Sequence, residues 1–315
     1  MRRTFALPLL ILAGLTAFAL FDYLSRPSTS DQIDQTIEAG QPDSAAAQAY
    51  VLPFANPAYA PVRDTTVRDP QPDATSAIVY DLDAEQVLWS RNANLPIPVA
   101  SLTKLLTAMV ADERWDPDEI VTVSSTAAQI NGTKLTLYAD EQLTVRDLLR
   151  LMLIESSNDA AYALADHARS QGTDFVAEMN RKAWVLGMRD CAFRDPAGLD
   201  DTARCTASDM IRLIRAALRQ APNLWPIMSS ASATVLSIDG KFVHEATNTN
   251  ELLDEYSGIV GGKTGNTDGA LGCLFVVVQS QDKRDTLITV VLGSRQRFTD
   301  TRLLLEWASA AYGFQ

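Results

Sequence analysis

Ser101 stands three residues before Lys104 in "PVASLTKLL", residues 98 to 106. The lysine is one of only six in the chain, against 21 arginines, and its neighbours are Val99, Leu102, Leu105 and Leu106. At an i, i+3 spacing on a helix the two side chains share a face, so the amine can reach the serine oxygen. A serine hydroxyl is a weak nucleophile until a neighbouring base takes its proton. Lysine can be that base once burial or a second cation lowers its ordinary pKa of about 10.4, whereas arginine is not deprotonated in proteins. The chemistry on offer is nucleophilic acyl transfer.

Taken alone, the pair is a weak signal. A chain of this composition holds roughly 0.4 Ser-x-x-Lys matches by chance, and "SQDK" at 280 to 283 is a second one, in a polar turn between strands. "SSN" at 156 to 158 is matched by "SRN" at 90 to 92. "KTG" at 263 to 265 is stronger, with a chance expectation of about 0.02, because lysine is so rare. The order carries more than any one motif: Ser-x-x-Lys opens a helix, Ser-x-Asn falls at a break between helices, and Lys-Thr-Gly lies on a strand.

Other chemistries find little support. The only histidines, His167 and His244, lie on a surface helix turn and in a strand, where structural or surface roles suit them better than a Ser-His-Asp relay. No histidine- or cysteine-rich spacing resembles a metal site, and no glycine-rich phosphate loop occurs, so neither metal nor organic cofactor is implied. The net charge of −12 and the lack of a basic run argue against a nucleic-acid partner.

The elements that must position these residues change period along the chain. "SAIVYDLDAEQVLWSRN" gives two short strands about a turn at Asp83-Ala84-Glu85. "SLTKLLTAMVADERW", "TVRDLLRLMLIES", "DAAYALADHARS", "DFVAEMNRKAWVLG" and "TASDMIRLIRAALRQ" follow as amphipathic helices. Strands return past Ala231 in "TVLSIDGKFVHEAT", "GGKTGN", "GALGCLFVVVQS" and "TLITVVLGS", and "RFTDTRLLLEWASAAY" is a last helix. This order predicts an α+β fold in which an antiparallel sheet, flanked by helices, pairs its first hairpin with strands more than 150 residues later around an all-helical lobe. Residues 73 to 315 are expected to form that one unit.

Upstream, Arg2 and Arg3 precede eighteen uncharged, mostly apolar residues from Thr4 to Phe21, so residues 1 to 24 read as a signal peptide or a short membrane anchor. Ala17-Phe18-Ala19 offers a cleavage site, while the length of the apolar run favours an uncleaved anchor. Residues 25 to 72, with seven of the 14 prolines, read as a flexible tether spanning on the order of 40 Å. The rest is then expected outside the cytoplasmic membrane: on its outer face if the anchor stays, in the periplasm if it is cleaved. In that setting Cys191 and Cys205 are spaced to close a short loop with Cys273 left over; the alternative is three reduced thiols.

Ser-x-x-Lys, Ser-x-Asn and Lys-Thr-Gly in this order are the elements of penicillin-binding proteins and class A β-lactamases. The chain resembles the low-molecular-mass penicillin-binding proteins, the serine-type D-alanyl-D-alanine carboxypeptidases of peptidase family S11. The likeness extends through "SLTKLLTAMVA", "LTVRDLLRLMLIESSNDAAYALA", "FVAEMNRKAWVLGM", "FRDPAGLDD", "TASDM", "NTNELL" and "GGKTGNTDGALGCL". It implies a β-lactamase/transpeptidase-like fold, peptidoglycan stem peptides as substrate, and β-lactam antibiotics as covalent inhibitors. It also assigns roles. Ser101 would attack the carbonyl between two D-alanines, Lys104 would take its proton, and Ser156 would relay a proton to the leaving amine. Asn158 would hold Lys104 and the substrate amide. Lys263 and Thr264 would bind the terminal carboxylate, with the charge of Lys263 depressing Lys104. Gly265 would let substrate lie along the strand, and the N–H groups of Ser101 and Asn266 would form an oxyanion hole, commonly worth about 3 to 4 kcal/mol.

The chain departs from the family pattern in two ways. Ser157 stands where glycine is frequent in the Ser-x-Asn element. The β-rich domain and amphipathic C-terminal anchor of many members do not fit in the 50 residues after Gly265, so the N-terminal segment is expected to provide membrane attachment. Three rivals share the motifs. A D,D-endopeptidase would use the same residues. A β-lactamase is disfavoured because no Glu-x-x-Leu-Asn element lies between Asn158 and Lys263. A non-catalytic peptidoglycan-binding protein is disfavoured because the polar motif positions are all retained.

Overall fold

A computed structural model describes residues 61–130, 132, 136–280 and 285–313. The expected export signal or anchor, and the tether up to residue 60, lie outside the described residues. Among the described residues no helix is long and apolar enough to cross a membrane.

The chain runs β1 (Ser76–Asp81), β2 (Gln86–Arg91), a 3-10 turn (Ala100–Leu102), α1 (Thr103–Arg114), β3 (Ile120–Thr122), β4 (Gln142–Thr144), α2 (Val145–Ile154), α3 (Asn158–Ser170), α4 (Phe175–Val185), α5 (Ala207–Gln220) and α6 (Leu224–Met228). It continues through β5 (Ser232–Leu236), β6 (Val243–Thr247), β7 (Ile259–Thr267), β8 (Leu271–Gln279), β9 (Thr286–Ser294) and α7 (Arg297–Tyr312). Five strands form one antiparallel sheet in the order β2-β1-β9-β8-β7. Ser76 faces Leu292 across the β1–β9 pair, so the N-terminal hairpin does return to the late strands. The α+β fold with a helical lobe is as expected. β5 with β6, and β3 with β4, form two small separate sheets. The sequence periodicity did not foretell β3, β4 or α6, because three- and five-residue elements are shorter than the window in which a period is visible.

Period-two alternation divides the buried strands between two cores. On one face Ala77, Val79, Leu287 and Val291 pack against Leu304, Trp307, Ala308 and Ala311 of α7. On the other, Ile78, Tyr80, Phe275, Ile288, Val290 and Leu292 join the large cluster built with α1, α2, α3, α5 and α6. Every residue of β1 and β9 is buried, which fits strands covered on both sides. Residues 61–72, expected within the tether, include contacts to this unit: the Asp64 N–H donates to Ala311 O at 2.7 Å, Val67 packs on the α7 cluster, and the Arg63 guanidinium lies over Trp307.

Helix starts are written locally. The hydroxyls of Thr144 and Thr206 accept from the N–H groups of Asp147 and Asp209, and the Asp174 carboxylate accepts from Ala177, satisfying amides that a first turn leaves free. Cys191 and Cys205 form a disulfide, and Cys273 is a buried free thiol.

Phe275 is fully buried between the sheet and the helical lobe. Phe275→Ala is expected to lower unfolding free energy by about 3 to 5 kcal/mol. In a denaturant titration this should appear as a lower midpoint with an unchanged slope.

Candidate active site

The helical lobe meets the open edge of β7 at the 3-10 turn that carries Ser101. Ala100, just before it, has φ 48°, a left-handed conformation that costs a residue with a Cβ free energy and persists only where its surroundings enforce it. α1 begins two residues after Ser101, so Lys104 lies in its first turn with its side chain turned back toward the serine.

Lys104 is completely buried. Its Nζ lies 2.8 Å from each of three oxygens: Ser101 Oγ, Asn158 Oδ1 and the Ala197 carbonyl. Two of these can only accept. A neutral amine has two N–H groups and one lone pair; with the N–H groups given to Asn158 and Ala197, the lone pair is left for the serine hydroxyl. Burial is the first cause that lowers the pKa of Lys104, to about 7, opposed by the nearby Asp195 carboxylate. The amine is therefore poised to take a proton from Ser101 near neutral pH.

Asn158 opens α3, and the α2–α3 break before it is shaped by two serines. Ser156 has φ 70° and is half-buried. It comes from the same break as Asn158 but does not hydrogen-bond to Lys104 in this structure. Ser157, in the position where glycine is frequent in the family, is the N-cap of α3, its hydroxyl accepting from Ala160 N–H at 3.2 Å. The substitution thus supplies a cap and leaves both flanking polar residues in place.

On β7, Lys263 is buried and Nζ donates to the Thr264 carbonyl at 3.0 Å. Its pKa is pushed well below the usual lysine value by burial first, then by the positive charges of Lys104 and Arg297. Both buried amines are thus held below the usual lysine value, burial being the first cause for each. The hydroxyls of Thr264 and Thr249 are hydrogen-bonded to each other. A Cβ added at Gly265 would lie 2.9 Å from Ser101 N, 3.0 Å from Ala100 Cβ and 3.2 Å from Val99 O. Glycine is needed there so that the serine turn can close against the strand, a reason nearer than room for substrate. Asn266 follows at the exposed end of β7.

The three motifs predicted from sequence therefore converge, with Ser101, Lys104 and Asn158 in direct contact and Gly265 packed on the serine turn. Two contributors escaped sequence reasoning. Ala197 acts through its carbonyl, which every residue possesses, so its type holds no signal. Thr249 meets Thr264 from the loop 15 residues earlier in the chain; "NTNELL" held it among the family-like segments without a role. His167 and His244 bond to Glu119 and Glu141, away from this site. Among the described residues no cluster of His, Cys, Asp and Glu could hold a metal ion.

Sheet, helical lobe and site together define the fold of the penicillin-binding proteins and transpeptidases. The crystal structure of a D-alanyl-D-alanine carboxypeptidase from Mycobacterium tuberculosis superposes with a TM-score of 0.72 at 30% identity, over 80% of this chain and 98% of that one. Penicillin-binding protein D2 of Listeria monocytogenes, in an ampicillin-bound form, matches with a TM-score of 0.66 at 30% identity, over 76% of this chain and 98% of that one. The chain belongs to the D-alanyl-D-alanine carboxypeptidase family, peptidase S11, whose sequence pattern it matches over residues 63–296. A D-alanyl-D-alanine endopeptidase of Pseudomonas aeruginosa is 35% identical over 238 residues, 74% of this chain and 76% of that protein.

Gly265→Ala should push the serine turn from β7. A drop in the rate of covalent labelling by fluorescent penicillin of about a hundredfold is expected, since small misplacements of reacting groups cost that much, with a cooperative melting transition retained.

Proposed function

We propose that the protein is an exported serine-type D-alanyl-D-alanine carboxypeptidase that removes the terminal D-alanine of peptidoglycan stem peptides through an acyl-Ser101 intermediate. The observation that carries this reading is the buried Lys104 amine, hydrogen-bonded to Ser101 and to two carbonyl acceptors. Ser101 Oγ attacks the penultimate D-alanine carbonyl while Lys104 takes its proton. The developing oxyanion accepts from the N–H groups of Ser101 and Asn266. As the C–N bond breaks, the proton passes from Lys104 through Ser156 to the departing D-alanine nitrogen. Water, deprotonated by Lys104, then attacks the ester, and Ser101 recovers its proton as the shortened peptide leaves.

Lys263 and Thr264 bind the substrate's terminal carboxylate. A buried lysine whose pKa is depressed without an anion becomes a stable cation when a carboxylate arrives beside it, so binding and charge are coupled. A β-lactam carries both a reactive amide carbonyl and a carboxylate, and is expected to acylate Ser101; the ampicillin-bound Listeria relative supports this. Arg2, Arg3 and the uncharged run from Thr4 to Phe21 support attachment to the outer face of the cytoplasmic membrane through an N-terminal anchor.

A second reading, D,D-endopeptidase, is favoured by the Pseudomonas aeruginosa relative of that name. Release of D-alanine from a stem pentapeptide supports the carboxypeptidase; cleavage of a cross-linked muropeptide dimer with the pentapeptide left intact would replace it. Ser101→Ala should form no covalent adduct with labelled penicillin, and an adduct in that variant would remove Ser101 from its role. The base must be neutral to act, so acylation should fall as pH drops through about 7, where Lys104 gains its proton. A stopped-flow acylation series from pH 5 to 9 tests the direction, and a rate that rises toward low pH would rule out Lys104 as base.

A further inference from the structure

The acceptor that sequence motifs did not name, Ala197 O, belongs to a segment with unusual internal support. Asp195 is buried, and its carboxylate gathers four successive backbone N–H groups. Oδ1 accepts from Ala197 at 2.7 Å, Gly198 at 2.6 Å and Leu199 at 3.2 Å; Oδ2 accepts from Leu199 at 3.0 Å and Asp200 at 2.8 Å. With the N–H groups of this turn drawn inward, its carbonyls face out toward α1. Thr107 Oγ1 donates to Pro196 O at 2.6 Å, and Lys104 Nζ donates to Ala197 O at 2.8 Å, so two successive carbonyls are held by residues three apart on one helix face.

The same segment is pinned at its base and its apex. The Cys191–Cys205 disulfide closes it. Cys205 exchanges both backbone hydrogen bonds with Ile97, four residues before Ser101. At the apex Gly198 has φ 78°, and a Cβ there would lie 1.9 Å from Ala100 O, so the turn is seated directly on the backbone that carries the serine. Residues 191–205 thus form a strap anchored to both the serine segment and α1.

We propose that Asp195 is a positioning residue for Lys104: by folding the strap so that Ala197 O takes one amine N–H, its carboxylate directs the lysine lone pair at Ser101. The inference rests on the reading of Lys104 as base and extends it to a residue that touches no substrate. The fourfold acceptance also explains why an acidic residue suits a position where a negative charge lies near the base. Its charge acts on Lys104 with opposite sign to burial. The other charged or titratable groups turned toward this centre are Lys263 on β7, Arg297 at the head of α7 acting on Lys263, and Tyr162 on α3, whose phenol is pushed up to about 12 by burial, Asp195, Asp200 and Asp166 and so stays neutral.

Asp195→Asn tests this. The amide nitrogen it introduces cannot accept from Leu199 or Asp200, and the charge is lost. Acylation by fluorescent penicillin at pH 8.5, where Lys104 is neutral in both proteins, should slow by about ten- to a hundredfold, as misplacement of a reacting group does. The acidic limb of the pH profile should move to lower pH, because a protonated Lys104 loses its nearby carboxylate. A merely structural role would reduce the fraction of molecules that label and leave the rate and the limb of the remainder unmoved; that result, or wild-type kinetics, overturns the proposal. Should the variant not fold, a Cys191→Ser, Cys205→Ser double variant loosens the strap with the charge retained. There the rate should fall with the limb in place, and an unchanged rate overturns the proposal. Failure of the wild type to label at Ser101 would instead bring down the site reading itself, so the two failures are distinguishable.

Discussion

Everything at this site depends on one amine kept out of water. An ammonium group is costly to bury without an anion, so Lys104 sheds its proton readily, and the three oxygens around it decide what the neutral amine can do. Two carbonyl acceptors use its hydrogens and one hydroxyl is left to donate. Had one of the acceptors been a second donor, the lone pair would face that group and Ser101 would keep its proton. The local chemistry is therefore a matter of donor and acceptor counting within a dry pocket, and the fold exists around it as the means of delivering those oxygens.

Each oxygen arrives from a different part of the chain. Ser101 comes from a 3-10 turn whose first residue is left-handed, Asn158 from the first turn of a capped helix, and Ala197 from a strap tied at both ends. The sheet supplies rigidity rather than chemistry. Two of its three interior strands, β1 and β9, are buried throughout and clamp the N-terminal hairpin to the C-terminal strands, while β7 at its edge carries a second buried amine and sets a glycine against the serine turn. Burial and the positive charge of Lys104 together disfavour a cation at Lys263.

Much of this was legible beforehand because it is written in local patterns. The 3.6-residue spacing in "TVRDLLRLMLIES" marks the helix that the structure shows over Val145–Ile154. "TLITVVLGS" reads as a buried strand from its run of β-branched residues. Ser101, Lys104, Asn158 and Lys263 stood out because lysine is rare and side-chain type matters there. Ala197 was invisible because it contributes a backbone carbonyl. Asp195, like Ala197, stood within the family-like "FRDPAGLDD" without a role, because its partners are backbone amides. Gly265 was noticed with its closest constraint unseen, since the residues it must clear, Val99 to Ser101, lie far back in the chain.

By itself the sequence determined which groups can titrate, attack or accept, and where the longer helices and strands lie, since these follow from side-chain identity and short-range periodicity. It also left Cys191 and Cys205 as one pairing among alternatives. Only the tertiary structure decided that the amine is dry, that its hydrogens are already spent on two carbonyls, that the cysteines join, and that Asp195 governs one of those carbonyls. Those facts depend on distances between residues far apart in the chain, and on the exclusion of water, which no local pattern encodes.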